Sequence, residues 1–234
     1  LKSIDIPVGP MKSSSVFIVI ASLALFSAPD IQGQDFSADE NMSFFLTSVG
    51  PGNGADLGGL EGADGYCQML AEAAGSEDKS WYAYLSAHAT EDGDAVNARD
   101  RIGDGPWYNS LGVLVAHNVE ELHGDDANLN KEASISEIGM PINGRGDSPN
   151  MHDIMTGSNL DGTLASGEGD TTCGNWTSHG EGSARVGHHD RQGGGQNPTS
   201  WNSAHGSRGC SQENLQGTGG NGLYYCFAVV HADE

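Results

Sequence analysis

The sequence predicts a secreted α+β protein with one main helix, a mixed antiparallel sheet and a long loop region stapled by disulfides. Three observations predict this fold class. One strongly helix-forming segment, ADGYCQMLAEAA (Ala63–Ala74), lies between short strand-like segments. The stretch from Asp153 to Phe227 holds three of the four cysteines and has too few apolar residues to close a core. Such a stretch cannot offset its conformational entropy by burial, so it needs covalent links.

The start of the chain has the pattern of a targeting signal. Met11 and Lys12 precede a serine run, an apolar run from Val16 to Phe26, and small or polar residues up to Gln34. The apolar run is too short to span a bilayer, so we expect residues 1–33 to be upstream sequence and a secretory signal peptide. A buried N-terminal helix is the alternative, but nothing amphipathic follows. Residues 34–42 are then a polar lead-in, and residues 43–231 a single domain.

The composition restricts the compartment and the partners. The chain carries 10 Lys and Arg against 32 Asp and Glu, a formal net charge of −22. This charge repels nucleic acid, heparin-like polyanions and anionic lipid, and it attracts cations. Four cysteines behind a signal peptide imply two disulfides in an extracellular or periplasmic space. No two cysteines stand at the spacing of zinc ligands. The sequence leaves the oligomeric state open.

The first half of the chain combines short strands with the helix. Ser43–Val49 is strand-like, WYAYLS (Trp81–Ser86) alternates like a half-buried strand, and GVLVA (Gly112–Ala116) is a short apolar strand. Gly75 follows the helix as a stop signal. One helix face should be buried, and it carries Cys67, Leu70, Ala71 and Ala74.

The second half has little periodicity. From His117 to Thr172 only Ile138–Ile142 could be extended, and a coil this long is unusual unless it is functional or stapled. The segment Leu223–Val230 is apolar on both sides of Cys226 and should be a central strand. We expect the large apolar side chains nearest the cysteines to form the core: Trp81, Leu85, Trp107, Trp176 and Tyr225.

The order of these segments resembles the C-type-lectin-like fold. It is most similar to its endostatin-like branch, which includes the C-terminal domain of some collagens and related secreted bacterial domains of unknown function. The matching pieces are WYAYLS, MTGSNLDGT (155–163), CGNW (173–176), Cys210 and LYYCFA (223–228). The resemblance implies two nested disulfides out of three pairings that four cysteines allow, namely Cys67–Cys226 and Cys173–Cys210.

The segment from Gly187 to Arg191 concentrates side chains that could act on a substrate. His188, His189 and Asp190 offer a base, a metal ligand and a carboxylate, which favours a metal-dependent hydrolase. Neighbouring residues in a strand point to opposite faces, so hydrogen-bonded loop residues are the alternative. No GxSxG, HExxH or P-loop pattern accompanies them.

An oxygen-rich series in the loop region favours calcium, because Ca²⁺ takes six or more oxygen ligands from flexible loops. Ordinary turn chemistry is the alternative. The series consists of Asp147, Asn150, Asp153 and Asp161. Ser148-Pro149-Asn150 and Trp201-Asn202-Ser203 resemble the EPN and WND motifs of calcium-dependent sugar-binding lectins, but both lack the carboxylate of those motifs.

Two classes of function remain. The first is a secreted non-enzymatic binding module that recognises a glycan or an extracellular protein through residues 117–210, or serves as a surface or fibre component. Its candidate ligand contacts are Asn150, His188, His189, Asp190, Trp201 and Asn202. The second is the hydrolase with His188, His189 and Asp190. The tripeptide Arg145-Gly146-Asp147 is the integrin-recognition motif, but it is short and lies in a sequence rich in glycine and aspartate.

Overall fold

The fold is organised around its last strand, β8 (Gly220–Ala228). The structure is a computed structural model that describes residues 36–167 and 169–229. Residues 1–33, predicted to be upstream sequence and a signal peptide, lie outside the described residues. The contacts group the described residues into one unit. Among the described residues, none of the helices has the length and hydropathy needed to cross a membrane.

The predicted central position of the last strand is confirmed. β8 pairs antiparallel with β1 (Phe44–Leu46), and on its opposite edge antiparallel with β2 (Trp81–Ala83). Nearer its start it pairs in parallel with β5 (Asp153–Met155). β5 continues the sheet through antiparallel β6 (Arg185–His188), which pairs with β7 (His205–Gly206).

The remaining elements surround this sheet. β3 (Trp107–Tyr108) and β4 (Leu114–Ala116) form a separate two-stranded sheet. The helices are α1 (Gly59–Ala73), α2 (Val119–Leu122), α3 (Cys173–Trp176) and α4 (Gln212–Thr218), with a 3-10 turn at Ala98–Arg101. All four residues of α3 have positive φ angles, between 49° and 66°. α3 is therefore a left-handed turn, which L-residues adopt only when their surroundings compensate.

Both disulfides join the pairs that the resemblance implied, so the nested pairing is confirmed. Cys67–Cys226 connects α1 to β8, and Cys173–Cys210 connects α3 to the segment before α4. Their sequence separations are 159 and 37 residues. Two disulfides fit an extracellular protein.

The sheet has an apolar cluster on each face. Alternate residues of β8 divide between them: Tyr224, Cys226 and Ala228 pack with α1, whereas Leu223, Tyr225 and Phe227 pack with Trp107 and Trp201. The predicted core is confirmed, since five side chains are at most 2% exposed: Trp81, Leu85, Trp107, Trp176 and Tyr225.

Several boundaries differ from the predictions. α1 begins at Gly59, four residues before the predicted start, and β1 and β2 are shorter than the strand-like segments that contain them. Ile138–Ile142 is not a strand: the Gly139 N–H donates to the Ser136 carbonyl in a turn, and Pro141 forms an isolated antiparallel bridge with Ile135. No pattern in the sequence indicated β5, β6, β7 or α4. Their two to seven residues are too few for a hydrophobic period to appear.

Candidate functional site

Strand pairing brings three histidines and one aspartate together. β5 and β6 place Asp153 directly opposite His188, while His152 precedes β5 and His205 lies in β7. The three imidazole Nε2 atoms converge on Asp153 Oδ1, at 3.2 Å from His152, 3.3 Å from His188 and 3.6 Å from His205. The Nε2 atoms of His188 and His205 are 3.0 Å apart. We call His152, Asp153, His188 and His205 the His–Asp cluster.

The cluster is buried except on one side. Asp153 is 3% exposed and His188 is fully buried, whereas the side chain of His205 is 25% exposed. Neither carboxylate oxygen of Asp153 accepts a well-formed hydrogen bond from the described residues, although ring nitrogens lie nearby. Burying a carboxylate in this way is unfavourable unless another charge compensates it.

Backbone carbonyls fix the proton positions on the three imidazole rings. His152 Nδ1 lies 3.0 Å from the Gln192 carbonyl oxygen, and His188 Nδ1 lies 2.8 Å from that of Pro198. His205 Nδ1 lies 3.1 Å from the Gly206 carbonyl oxygen. A carbonyl oxygen can only accept, so each Nδ1 carries the hydrogen and donates it. In the neutral rings, Nε2 therefore presents a lone pair to Asp153.

Glycines let the backbone wrap closely around the cluster. A Cβ atom at Gly195 would lie 2.8 Å from the His205 ring, and one at Gly219 would lie 3.2 Å from Asp153 Oδ2. A side chain at Gly187 would collide with the Trp201 carbonyl, which crosses β6 at that point. These close approaches need residues without a side chain.

Asp190 supports the cluster from outside. Its Oδ1 lies 3.4 Å from His152 Nδ1, and its Oδ2 accepts a 2.6 Å hydrogen bond from the Arg145 N–H. Burial acts to raise the pKa of Asp190, but hydrogen bonds from His152 and from the N–H groups of Arg145 and Gln192 outweigh it. They hold the pKa well below its ordinary value.

The three predicted hydrolase residues point to different partners. His188 belongs to the His–Asp cluster, where burial opposes its charged form but Asp153 and the Pro198 carbonyl raise its pKa. His189 places Nε2 3.1 Å from the Asn143 carbonyl, and burial lowers its pKa. Asp190 binds the backbone of Arg145. The chain does not bring these side chains to one cleft.

The four predicted calcium ligands also have separate partners. Asp147 forms a 2.5 Å ion pair with Lys131. Asp161 accepts hydrogen bonds from Thr163. Asn150 accepts a 3.3 Å hydrogen bond from the His152 N–H, and Asp153 joins the histidines. Calcium binding by Asp147, Asn150, Asp153 and Asp161 stays a prediction. In the integrin-type tripeptide, the Asp147 carboxylate therefore forms an ion pair within the chain, with the Lys131 ammonium group.

Beside the cluster lies a polar groove, which we call the amide groove. It consists of two adjoining clefts of about 380 and 410 Å³ that share Leu160, Gln196 and Asn197. Asp125 and Arg191 line one cleft, and the other is lined by side chains that include Asn159, Asp161, Arg185 and Ser203. The clefts thus present amides, hydroxyls, and both signs of charge.

Two predicted ligand contacts, Trp201 and Asn202, line this groove but mainly support it. Trp201 is 3% exposed and donates its indole N–H to the Leu122 carbonyl. Asn202 is 1% exposed and donates to the Asn159 and Leu160 carbonyls. These two side chains therefore support the walls of the groove and contribute little to its solvent-exposed surface.

The wall shared by the two clefts is attached to the His–Asp cluster. The N–H groups of Gln196 and Asn197 both donate to the Ala204 carbonyl, one residue before His205. The next residue, Pro198, offers its carbonyl to His188 Nδ1. The wall is therefore bonded to the His188 ring and to the backbone next to His205.

Sequence reasoning identified Asp153 and His188 but missed His152 and His205. Among the described residues, His152, Asp153 and His188 form a group whose ligand atoms all lie within 4.8 Å of one another, and His205 Nε2 lies 3.6 Å from Asp153 Oδ1. The cluster residues come from three separate parts of the chain, at 152–153, 188 and 205, so no local spacing motif marks them. The available signal was compositional, since five of the nine histidines lie between residues 152 and 205.

Comparison of the chain with models of protein families and with curated proteins finds no match. The function is therefore inferred from the geometry of the His–Asp cluster and the amide groove.

Proposed function

We propose that the protein is a secreted, non-enzymatic binding module that recognises a glycan through the amide groove. The observation that carries this proposal is the pair of adjoining clefts that share Leu160, Gln196 and Asn197. Each cleft has a volume in the range of small-molecule sites. Both lie within residues 117–210, where the sequence predicts recognition.

The chemistry of the groove suits sugar hydroxyls. Each hydroxyl donates one hydrogen bond and accepts others, and an amide side chain offers both a donor and an acceptor. Gln196 and Leu160 are exposed at the junction of the clefts, so one ligand could contact both. The charges of Asp125, Arg185 and Arg191 have mixed signs, which favours a polar ligand over a polyanion.

The alternative is a metal-dependent hydrolase that uses His188, His189 and Asp190. Hydrolysis by a bound metal needs an open coordination position that water and substrate can reach. His188 is fully buried, and His189 and Asp190 point to other partners. These observations favour binding without catalysis.

The test is a glycan array probed with the mature protein, in the presence and absence of calcium. In a titration with a glycan from the array, Gln196→Ala should weaken binding about 5–10-fold, the effect of one or two lost hydrogen bonds. Gln192→Ala is the matched control, because Gln192 is an exposed glutamine of the same loop that does not line the groove.

Three outcomes would contradict the proposal. Equal binding by the parent and the Gln196→Ala variant would place recognition outside the groove. Binding to an extracellular protein but to no glycan would change the ligand class. Release of cleaved sugars would favour the hydrolase.

A further inference from the structure

We propose that His152, Asp153, His188 and His205 bind one transition-metal ion of the Zn²⁺ type. This inference goes beyond glycan recognition, because none of the four residues lines the amide groove. Its starting point is the Asp153 carboxylate, which is 3% exposed and accepts no well-formed hydrogen bond from the described residues. A buried negative charge of this kind needs a positive partner.

The imidazole rings do not supply that partner in their neutral form. Their Nδ1 atoms carry the hydrogens, since each faces a backbone carbonyl, and their Nε2 lone pairs therefore point at Asp153 Oδ1. A proton shared between His188 and His205 would join those two nitrogens at 3.0 Å and add one positive charge, but its hydrogen would lie between the rings and would not be donated to Asp153. A metal cation between these atoms would balance the negative charge of Asp153 and accept the Nε2 lone pairs of the histidines.

The distances match the coordination sphere of zinc. Zinc bonds to imidazole nitrogen and carboxylate oxygen are about 2.0–2.1 Å long, so neighbouring ligand atoms in a tetrahedron are about 3.3–3.4 Å apart. In the cluster the corresponding separations are 3.0 Å between the Nε2 atoms of His188 and His205, and 3.2, 3.3 and 3.6 Å from Asp153 Oδ1 to the three rings. These are four of the six separations among the four atoms, and all four are close to the edge length of such a tetrahedron.

The ligand set selects the class of metal. Calcium and magnesium take oxygen ligands, whereas three imidazole nitrogens with one carboxylate favour zinc and related divalent transition metals. Metal-binding histidines also donate their second ring N–H to a carbonyl or carboxylate, which fixes the ring for coordination. All three histidines of the cluster do so.

Four protein ligands close the coordination sphere, which is typical of structural rather than catalytic zinc sites. The ion would join β5, β6 and β7. It would also anchor the loop wall at Gln196 and Asn197 through His188 and His205. The metal would therefore stabilise the loop region that a small apolar core cannot hold.

The test uses the untagged mature protein, because an added histidine tag would bind metal itself. After dialysis against metal-free buffer, elemental analysis should find about one zinc or related ion per chain. After chelation, Zn²⁺ at 100 times its Kd should raise the melting temperature by about 5–10 °C. Mg²⁺ and Ca²⁺ at the same concentration should leave the melting temperature unchanged.

Two variants locate the ion. His205→Gln removes the most exposed ligand and should lower zinc affinity by more than about 100-fold, because losing even an outer-shell partner costs 10–100-fold. Asp153→Asn should abolish the zinc-dependent gain, yet raise the melting temperature of the chelated protein, because it removes the uncompensated charge. His179→Gln is the control, since this exposed histidine lies outside the cluster and should retain parental zinc binding.

The assignment is overturned if the protein retains no zinc and shows no zinc-dependent shift in melting temperature. It is equally overturned if only Ca²⁺ stabilises the chain, or if His205→Gln and Asp153→Asn bind zinc with parental affinity. Failure of the glycan array would leave these outcomes unaffected, because they are measured without a sugar.

Discussion

The two halves of β8 meet two different kinds of protein interior. Near its end, β8 pairs with β1 and β2, and the neighbouring side chains are apolar. The rings of Phe45 and Trp81, for example, pack at a tilt with their centroids 4.9 Å apart. Near its start it pairs with β5, which leads through β6 to β7 and the His–Asp cluster. We call these regions the apolar half and the polar half of the sheet.

The difference teaches how one sheet can be stabilised in two ways. The apolar half depends on burial, which is non-directional and tolerates small shifts. The polar half buries Asp153, His188 and Asn202, and each needs a specific partner at a specific distance. Loss of one partner there leaves another polar group without a bond, so this half should be more sensitive to chemical change than to changes in volume.

The largest expected effect comes from the two disulfides, of which one joins α1 to β8 and the other joins α3 to the segment before α4. In the chain-entropy model, loops of 159 and 37 residues correspond to about 5 kcal/mol for Cys67–Cys226 and about 4 kcal/mol for Cys173–Cys210, as upper estimates. Either loss is comparable to the net stability of a whole domain.

Paired Cys→Ser variants of each bridge, measured by urea unfolding, should show these losses. Hydrogen exchange should report opening of β8 and α1 without Cys67–Cys226, but opening centred on α3 and α4 without Cys173–Cys210. Unfolding midpoints equal to that of the parent would show that the bridges contribute nothing to stability.

The next largest effect is expected in the apolar cluster that contains Trp176, Phe45 and Trp81. Trp176 is fully buried among apolar residues, and its indole N–H donates to the Ser86 carbonyl at 2.8 Å. Trp176→Ala should lower the free energy of unfolding by about 3–5 kcal/mol, the usual loss for a large side chain in a core. Trp176→Phe keeps most of the ring and should lose less. An unchanged melting temperature in the Ala variant would contradict the role of Trp176 in the core.

The apolar half was largely predictable because its signals are local. α1 has dense helix formers and a buried face containing Cys67 and Ala71, and β8 is a continuous apolar run. The disulfide pairing did not follow from these patterns. Four cysteines allow three pairings, and the resemblance to a known fold selected one of them.

The polar half could not be predicted to the same degree. β5 and β7 contain three and two residues, so neither shows an alternating pattern. His205 reaches Asp153 only because β6 lies between β5 and β7, and this pairing is set by tertiary contacts. Sequence reasoning placed Asp153 with three other oxygen-bearing residues, since it could not know which histidines the sheet would bring to it.

The smallest expected effect tests a single exposed contact in the loop that follows β5. Asp161 Oδ1 accepts hydrogen bonds from the Thr163 hydroxyl at 2.6 Å and from the Thr163 N–H at 3.0 Å. The hydroxyl and then the N–H hold the pKa of Asp161 below its ordinary value of 3.8. A carboxyl whose pKa is lowered by folding stabilises the protein above its ordinary pKa. This contribution disappears as the pH falls through the lower pKa of the folded state.

Asp161→Asn should therefore destabilise the protein slightly at neutral pH, by less than about 1 kcal/mol because solvent screens this exposed side chain. The difference in melting temperature between variant and parent should shrink as the pH is lowered from about 7 to about 3. Asp92→Asn, at another exposed aspartate, is the control for the change in net charge. A difference that stays constant, or grows, toward acid pH would show that Thr163 does not stabilise the charged form of Asp161.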